Sequence, residues 1–188
     1  HKLKMHHLKI IFLNYFLNLD ISYYHKDINH NIPLETLFYN LEEVLLQVAK
    51  DSKVIADYLN DKIDGVEIEY CSTVRDEASC VEACAKATND KDCIAVITWM
   101  HTFSPAKMWI KGLQLLKKPL LHFHTQANEK LPYDEIDMDF MNLNQTAHGG
   151  REYGFIATRL GVKREVVVGY YEHEDVIEKI KKFIDVAR

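Results

Sequence analysis

The run Cys93-Ile-Ala-Val-Ile-Thr98 constrains the fold more than any other stretch of this chain. It is continuously apolar over a strand's length, so neither face can be left to water, and such a strand belongs in a sheet covered on both sides. Pro119-Leu-Leu-His-Phe-His124 and Glu165-Val-Val-Val-Gly169 read as further strands. Gly65-Val-Glu-Ile-Glu-Tyr-Cys71 alternates apolar and charged residues, the pattern of a strand with one wet face.

Helical spacing fills the intervals. Leu41, Val44, Leu45, Val48, Ile55, Tyr58 and Leu59 fall on one face, predicting a helix of about five turns that ends near Asn60. Val74, Ala78, Val81, Ala85 and Thr88 mark a second helix, ending at Asn89-Asp90. Ser104-Pro105 suits the start of a third, which carries Met108, Trp109, Leu113, Leu115 and Leu116. Asn144 to Leu160 reads as a helix stopped by Gly161, and Val176, Ile177, Ile180, Phe183, Ile184 and Ala187 make an amphipathic closing helix. The order β-α-β-α-β-α-β-α predicts a three-layer α/β/α fold with an open, mainly parallel sheet, Rossmann-like or flavodoxin-like.

Residues 41–188 are expected to form one domain, and residues 1–40 read differently. They hold five of the ten histidines (His1, His6, His7, His25 and His30), whereas all seven glycines lie from Gly65 onward. Lys9 to Leu13 has the composition of an opening strand, but no Gly- or Ser-rich turn follows it. The histidines alone suggest a metal-binding tract, but their spacing is irregular.

A net charge of -5 gives no electrostatic footprint for nucleic acid. No run approaches the ~18 apolar residues of a membrane span, and Ile10 to Leu19 is interrupted by Asn14 and Asn18 with no cleavage site after it. The four cysteines contain no C-x-x-C pair, and Cys80 and Cys84, four apart on a helix, read as small buried thiols. A reduced, cytoplasmic setting is expected.

In an open parallel sheet, ligands bind beyond the carboxyl ends of the strands. The two polar-rich loops, at 99–104 and 124–135, both leave such ends, so they should open on one edge. His122 and His124 point to the same side of their strand, where two imidazoles can ligate a metal, as can His101 or His148 with Glu152. The other reading makes His122 a core histidine. His124, at the strand end beside Thr125 and Gln126, either hydrogen-bonds a hydroxylated ligand or ties down the loop. Asp137 and Asp139 can serve as an acid/base pair or as caps of a helix over 140–145. Ala147-His-Gly-Gly-Arg151 suggests anion binding but lacks both the P-loop and the G-x-G-x-x-G spacing.

WMHTFSPAKMWIKGL (99–113), KPLLHFHTQANEKLPYDEIDMDFMNLNQTAHGGREYGFI (118–156) and VVVGYY (166–171) closely resemble the N-terminal region of the L-arabinose isomerases, and the likeness extends back to LEEVLLQVAKDSKVIADYLN (41–60). The resemblance implies a cytoplasmic, oligomeric enzyme that converts L-arabinose to L-ribulose with Mn²⁺. It also implies that this chain is a fragment. The family's metal-binding and proton-transferring Glu and His residues belong to later domains, so neither catalytic nor metal-binding residues are expected here. His124, with Gln126 beside it, matches a histidine implied to contact substrate across a subunit boundary. Tyr39, in Thr36-Leu-Phe-Tyr-Asn40, echoes a tyrosine of the family's first glycine-rich turn, whose glycines are absent. That departure raises the expectation of a disrupted or split reading frame before residue 41. The competing expectations are a free-standing α/β sugar-binding or interaction module and, last, a metal hydrolase built on His122 and His124.

Overall fold

A computed structural model describes residues 8–15, 34–101, 106–134 and 136–188. Five parallel strands form one sheet: β1 (Lys9–Tyr15), β2 (Glu67–Val74), β3 (Cys93–Met100), β4 (Leu120–His124) and β5 (Glu165–Val168), in the order β2-β1-β3-β4-β5. This is the flavodoxin-like arrangement, with its order reversal between β1 and β3. Among the described residues the helices are α1 (Leu34–Lys62), α2 (Glu77–Asn89), α3 (Trp109–Leu115), α4 (Met138–Leu143), α5 (Thr146–Arg159) and α6 (Glu174–Ala187), and a 3-10 turn, Ala106–Met108, leads into α3.

Alternate side chains of the strands feed two cores. Ile10, Phe12, Ala95, Ile97, Trp99, Leu121 and Phe123 pack with Ile55 and Leu59 of α1 and Val176, Ile180 and Ile184 of α6. Ile11, Leu13, Val96, Met100 and Leu120 face the other way, onto Cys80 and Cys84 of α2, Trp109 and Leu113 of α3, and Tyr153 and Ala157 of α5. The chain is thus a three-layer α/β/α domain, as the strand and helix pattern predicts.

The candidate opening strand at Lys9 to Leu13 is present, and two element boundaries differ from the sequence reading, each for a physical reason. β1 comes from the segment set apart as atypical, yet it lies between β2 and β3, with Ile10, Ile11, Phe12 and Leu13 all buried. A short run of bulky apolar residues is enough to hold a central strand. α1 starts at Leu34 rather than Leu41, because Leu34, Leu37 and Leu41 continue the same helical spacing, and Thr36–Asn40 is therefore helix, not a turn. The strand expected at Gly65–Cys71 runs from Glu67 to Val74 instead, because Gly65 sits in the preceding turn at φ +80°.

At the carboxyl end of α5, Gly161 adopts φ +68°, and the N–H of Val162 reaches the Ala157 carbonyl. Ser104 and Pro105, read as the start of α3, lie outside the described residues. No helix among the described residues is long and apolar enough to cross a membrane. All four cysteines are free thiols, with Cys80, Cys84 and Cys93 buried.

Candidate functional site

The carboxyl ends of β3 and β4 converge with the first turn of α5. Trp99 and His101, two apart in sequence, lie nearly parallel, 4.3 Å between ring centroids at an interplanar angle of 14°. His101 is buried, and its Nε2 lies 3.0 Å from Oδ2 of Asp51 in α1. The Trp99 indole N–H donates to the Thr125 carbonyl at 2.8 Å and to Oγ1 of Thr146 at 3.3 Å. These contacts join the ends of two strands to helices on both sides of the sheet. Thr102 and Phe103, in the middle of the first polar loop, lie outside the described residues.

His122 and His124 do share a face, as the two-residue repeat of a strand requires. Their rings stack, with centroids 5.5 Å apart, and Tyr153 meets His122 edge-on at 5.0 Å. Above them α5 comes close because residue 150 is glycine: a Cβ there would sit 3.0 Å from His124 Cε1 and 3.3 Å from His122 Nε2. The tandem glycines, which as sequence suggest an anion loop, here let a helix press onto two imidazoles. Burial lowers the pKa of His122 to about 3, helped by the neighbouring His124 and Arg164. Burial also lowers that of His124, opposed by its bond to the Thr146 backbone. Both shifts favour the neutral imidazole.

Of the predicted sugar contacts, His124 and Gln126 are both partly accessible at this edge. Tyr39 lies in the first turns of α1, and its side chain is outside the described set. Asp137 acts as a cap: its Oδ1 accepts the N–H of Phe140 at 2.8 Å at the start of α4. The side chain of Asp139, the other member of the suggested acid/base pair, is likewise outside the described residues.

One feature of the edge was not visible in the sequence. A groove of about 690 Å³ runs between the 3-10 turn and α5, lined by Ala106, Lys107, His148, Arg151, Glu152, Phe155 and Ile156. Within it His148 Nε2 lies 3.3 Å from Oε1 of Glu152, and His148 Nδ1 lies 3.4 Å from Oε1 of Gln145. The sequence signal was the pairing of His148 with Glu152 as candidate ligands, four apart on a helix that Gln145 precedes at helical spacing.

The manganese implied by the resemblance has no home among these residues. Mn²⁺ favours carboxylate and other oxygen ligands. His122 and His124 offer only imidazoles, and Gly150 brings the α5 backbone against them. Among the described residues no group of three His, Cys, Asp or Glu side chains is placed to hold a metal ion. The same crowding argues against a hydrolytic metal centre on this pair.

Fold and edge together define a flavodoxin-like α/β domain with its polar groups gathered beyond the carboxyl ends of its central strands. The family described as the L-arabinose isomerase N-terminal domain matches residues 35–188. The chain belongs to that family. L-arabinose isomerase 1 of Bacillus licheniformis is 50% identical over 146 residues, covering 78% of this chain and 30% of that protein. The L-arabinose isomerase of Anoxybacillus flavithermus is 52% identical over 147 residues, covering 78% and 29%. That of Vibrio parahaemolyticus is 55% identical over 135 residues, covering 71% and 27%. The chain therefore spans about 30% of the length of the curated relatives it matches.

Proposed function

We propose that this chain supplies the substrate-facing side of an aldose-ketose isomerase that converts L-arabinose to L-ribulose, and that it has no turnover by itself. The observation that carries the reading is the family match over 35–188, combined with the gathering of polar side chains at the ligand edge of the sheet. In this reading His124, Gln126 and Tyr39 contact sugar hydroxyls. His148 and Glu152, with Gln145 beside His148, extend the same surface into the groove, where paired donors and acceptors suit a polyol.

The Lewis acid and the acid/base groups that move a proton between C1 and C2 come from domains other than this one. Mn²⁺ would supply polarisation of the substrate oxygens there. The present residues would orient the sugar and exclude water from one side of it. The reading also places the chain in the cytoplasm, in an oligomer in which neighbouring subunits complete each site. Residues 35–188 then carry the family likeness, and residues 1–40 supply the central strand β1 while departing in sequence from the family's usual start. That the family match begins at residue 35 supports this departure.

The test is an assay of the purified chain with L-arabinose and Mn²⁺. No turnover is expected, and robust turnover without another polypeptide overturns the proposal. Titration with L-arabinose or ribitol separates the second reading, which the chain's own groove favours. Binding only after the remaining isomerase domains are added supports the split site, whereas binding by the chain alone supports a free-standing sugar-binding module.

A further inference from the structure

We infer that Trp99 is a positioning residue whose indole N–H, shared between the Thr125 carbonyl and the Thr146 hydroxyl, locks the β4 loop and the first turn of α5 into one unit. The inference rests on the substrate-facing reading for why these two segments must keep a fixed relation. Its structural content stands on geometry alone.

Trp99 belongs to the core on the α1/α6 side, whereas α5 packs on the opposite side. Its ring therefore reaches around the carboxyl edge of the sheet to make both bonds, at 2.8 Å and 3.3 Å. Thr125 and Thr146 are both buried, so neither acceptor has water as an easy substitute. Thr125 directly precedes Gln126, and Thr146 directly follows Gln145. Thr146 also bonds His124 through its backbone, and its hydroxyl reaches the His101 carbonyl at 3.5 Å.

The indole is itself held. His101 stacks on one of its faces and is anchored to Asp51 of α1, and Phe12 of β1 meets it at 6.4 Å. A tryptophan chosen only to fill volume would not need its N–H aimed at two separate segments. Phenylalanine could fill most of the same space.

The experiment uses the full chain, labelled with ¹⁵N, and follows amide hydrogen exchange in Trp99→Phe, Thr146→Val and Thr146→Ser. Trp99→Phe is expected to raise exchange at residues 124–128 and 145–149 together, about tenfold or more, while β2 and α6 keep their protection. Thr146→Val, which keeps the shape and deletes the hydroxyl, should loosen both segments, and Thr146→Ser, which retains the hydroxyl, should restore them. The inference is overturned if Thr146→Val loosens α5 alone, if serine and valine behave alike, or if protection falls evenly over the whole sheet. Should Trp99→Phe fail to fold, the Thr146 pair still decides. No sugar enters these measurements, so a failed isomerase reading and a failed positioning role are seen separately.

Discussion

Gly150 and Gly154 occupy the same helix, four residues apart, and should answer the same substitution in opposite directions. Alanine is the better helix former by roughly 1 kcal/mol. At Gly150 the new methyl meets the rings of His122 and His124, which are fixed by strand backbone and by their own stacking. Gly150→Ala is therefore expected to destabilise the chain by about 1–3 kcal/mol. At Gly154 the nearest atom is the far end of the Arg164 side chain, at 3.1 Å, which can move away. Gly154→Ala should be neutral or stabilising. Urea unfolding midpoints compare them directly, and equal shifts would remove the argument from close approach. His122 carries a second residue-scale expectation. Its folded pKa lies far below the ordinary 6.5, at about 3. Below pH 6.5 the unfolded chain therefore binds a proton that the folded chain refuses, so stability present above pH 6.5 is lost as pH falls towards 3. Between pH 7 and 4.5 the midpoint should drop steeply in the parent chain and less in His122→Leu. Parallel pH profiles would show that the loss arises elsewhere.

Among the elements, α4 is short enough that its cap decides whether it forms. Asp137→Ala removes the bond to the Phe140 N–H and should cost about 1 kcal/mol, confined to α4. Faster exchange at residues 140–143 with an unchanged global midpoint is the expected result, and a large fall in the midpoint would mean that Asp137 does more than cap. This cap was legible in sequence because the signal is local, an acidic residue directly before a helical run. So were β3, whose unbroken apolar run admits few alternatives, β4 after Pro119, and the closing helix α6. The role of Gly150 was not legible. Its neighbours His122 and His124 lie far away in sequence, so the tandem glycines beside His148 and Arg151 suggested only anion binding, without the spacing of a phosphate loop. The groove was hidden for the same reason, since it forms where the turn at Ala106–Met108 meets α5. His122 and His124 could be placed on one face from the strand repeat alone, but their crowding depends on which helix crosses them.

For the molecule as a whole, the sheet places β1 between β2 and β3, with both neighbours paired along its length. A chain shortened to begin at residue 35, matching the extent of the family likeness, keeps the described helices save the first residue of α1 but loses this strand. It also removes the buried side chains of Ile10, Ile11, Phe12 and Leu13, two to each core. Losing even one such side chain typically costs about 2–5 kcal/mol, comparable to a domain's whole stability margin. The shortened chain is expected to show no cooperative thermal transition. A sharp transition near that of the parent would mean that β2 and β3 can close the gap without β1.

The same central position sets a timetable for synthesis. β1 leaves the ribosome before its partners, and β3 is not complete until Met100 has emerged. At about 5–20 residues per second, the middle of the sheet waits on the order of several seconds with its hydrogen-bonding edges open. For that interval a strand that is paired on both edges in the finished domain stands open to wrong partners, and a chaperone that shields Ile10 to Leu13 would protect the sheet before its middle can close.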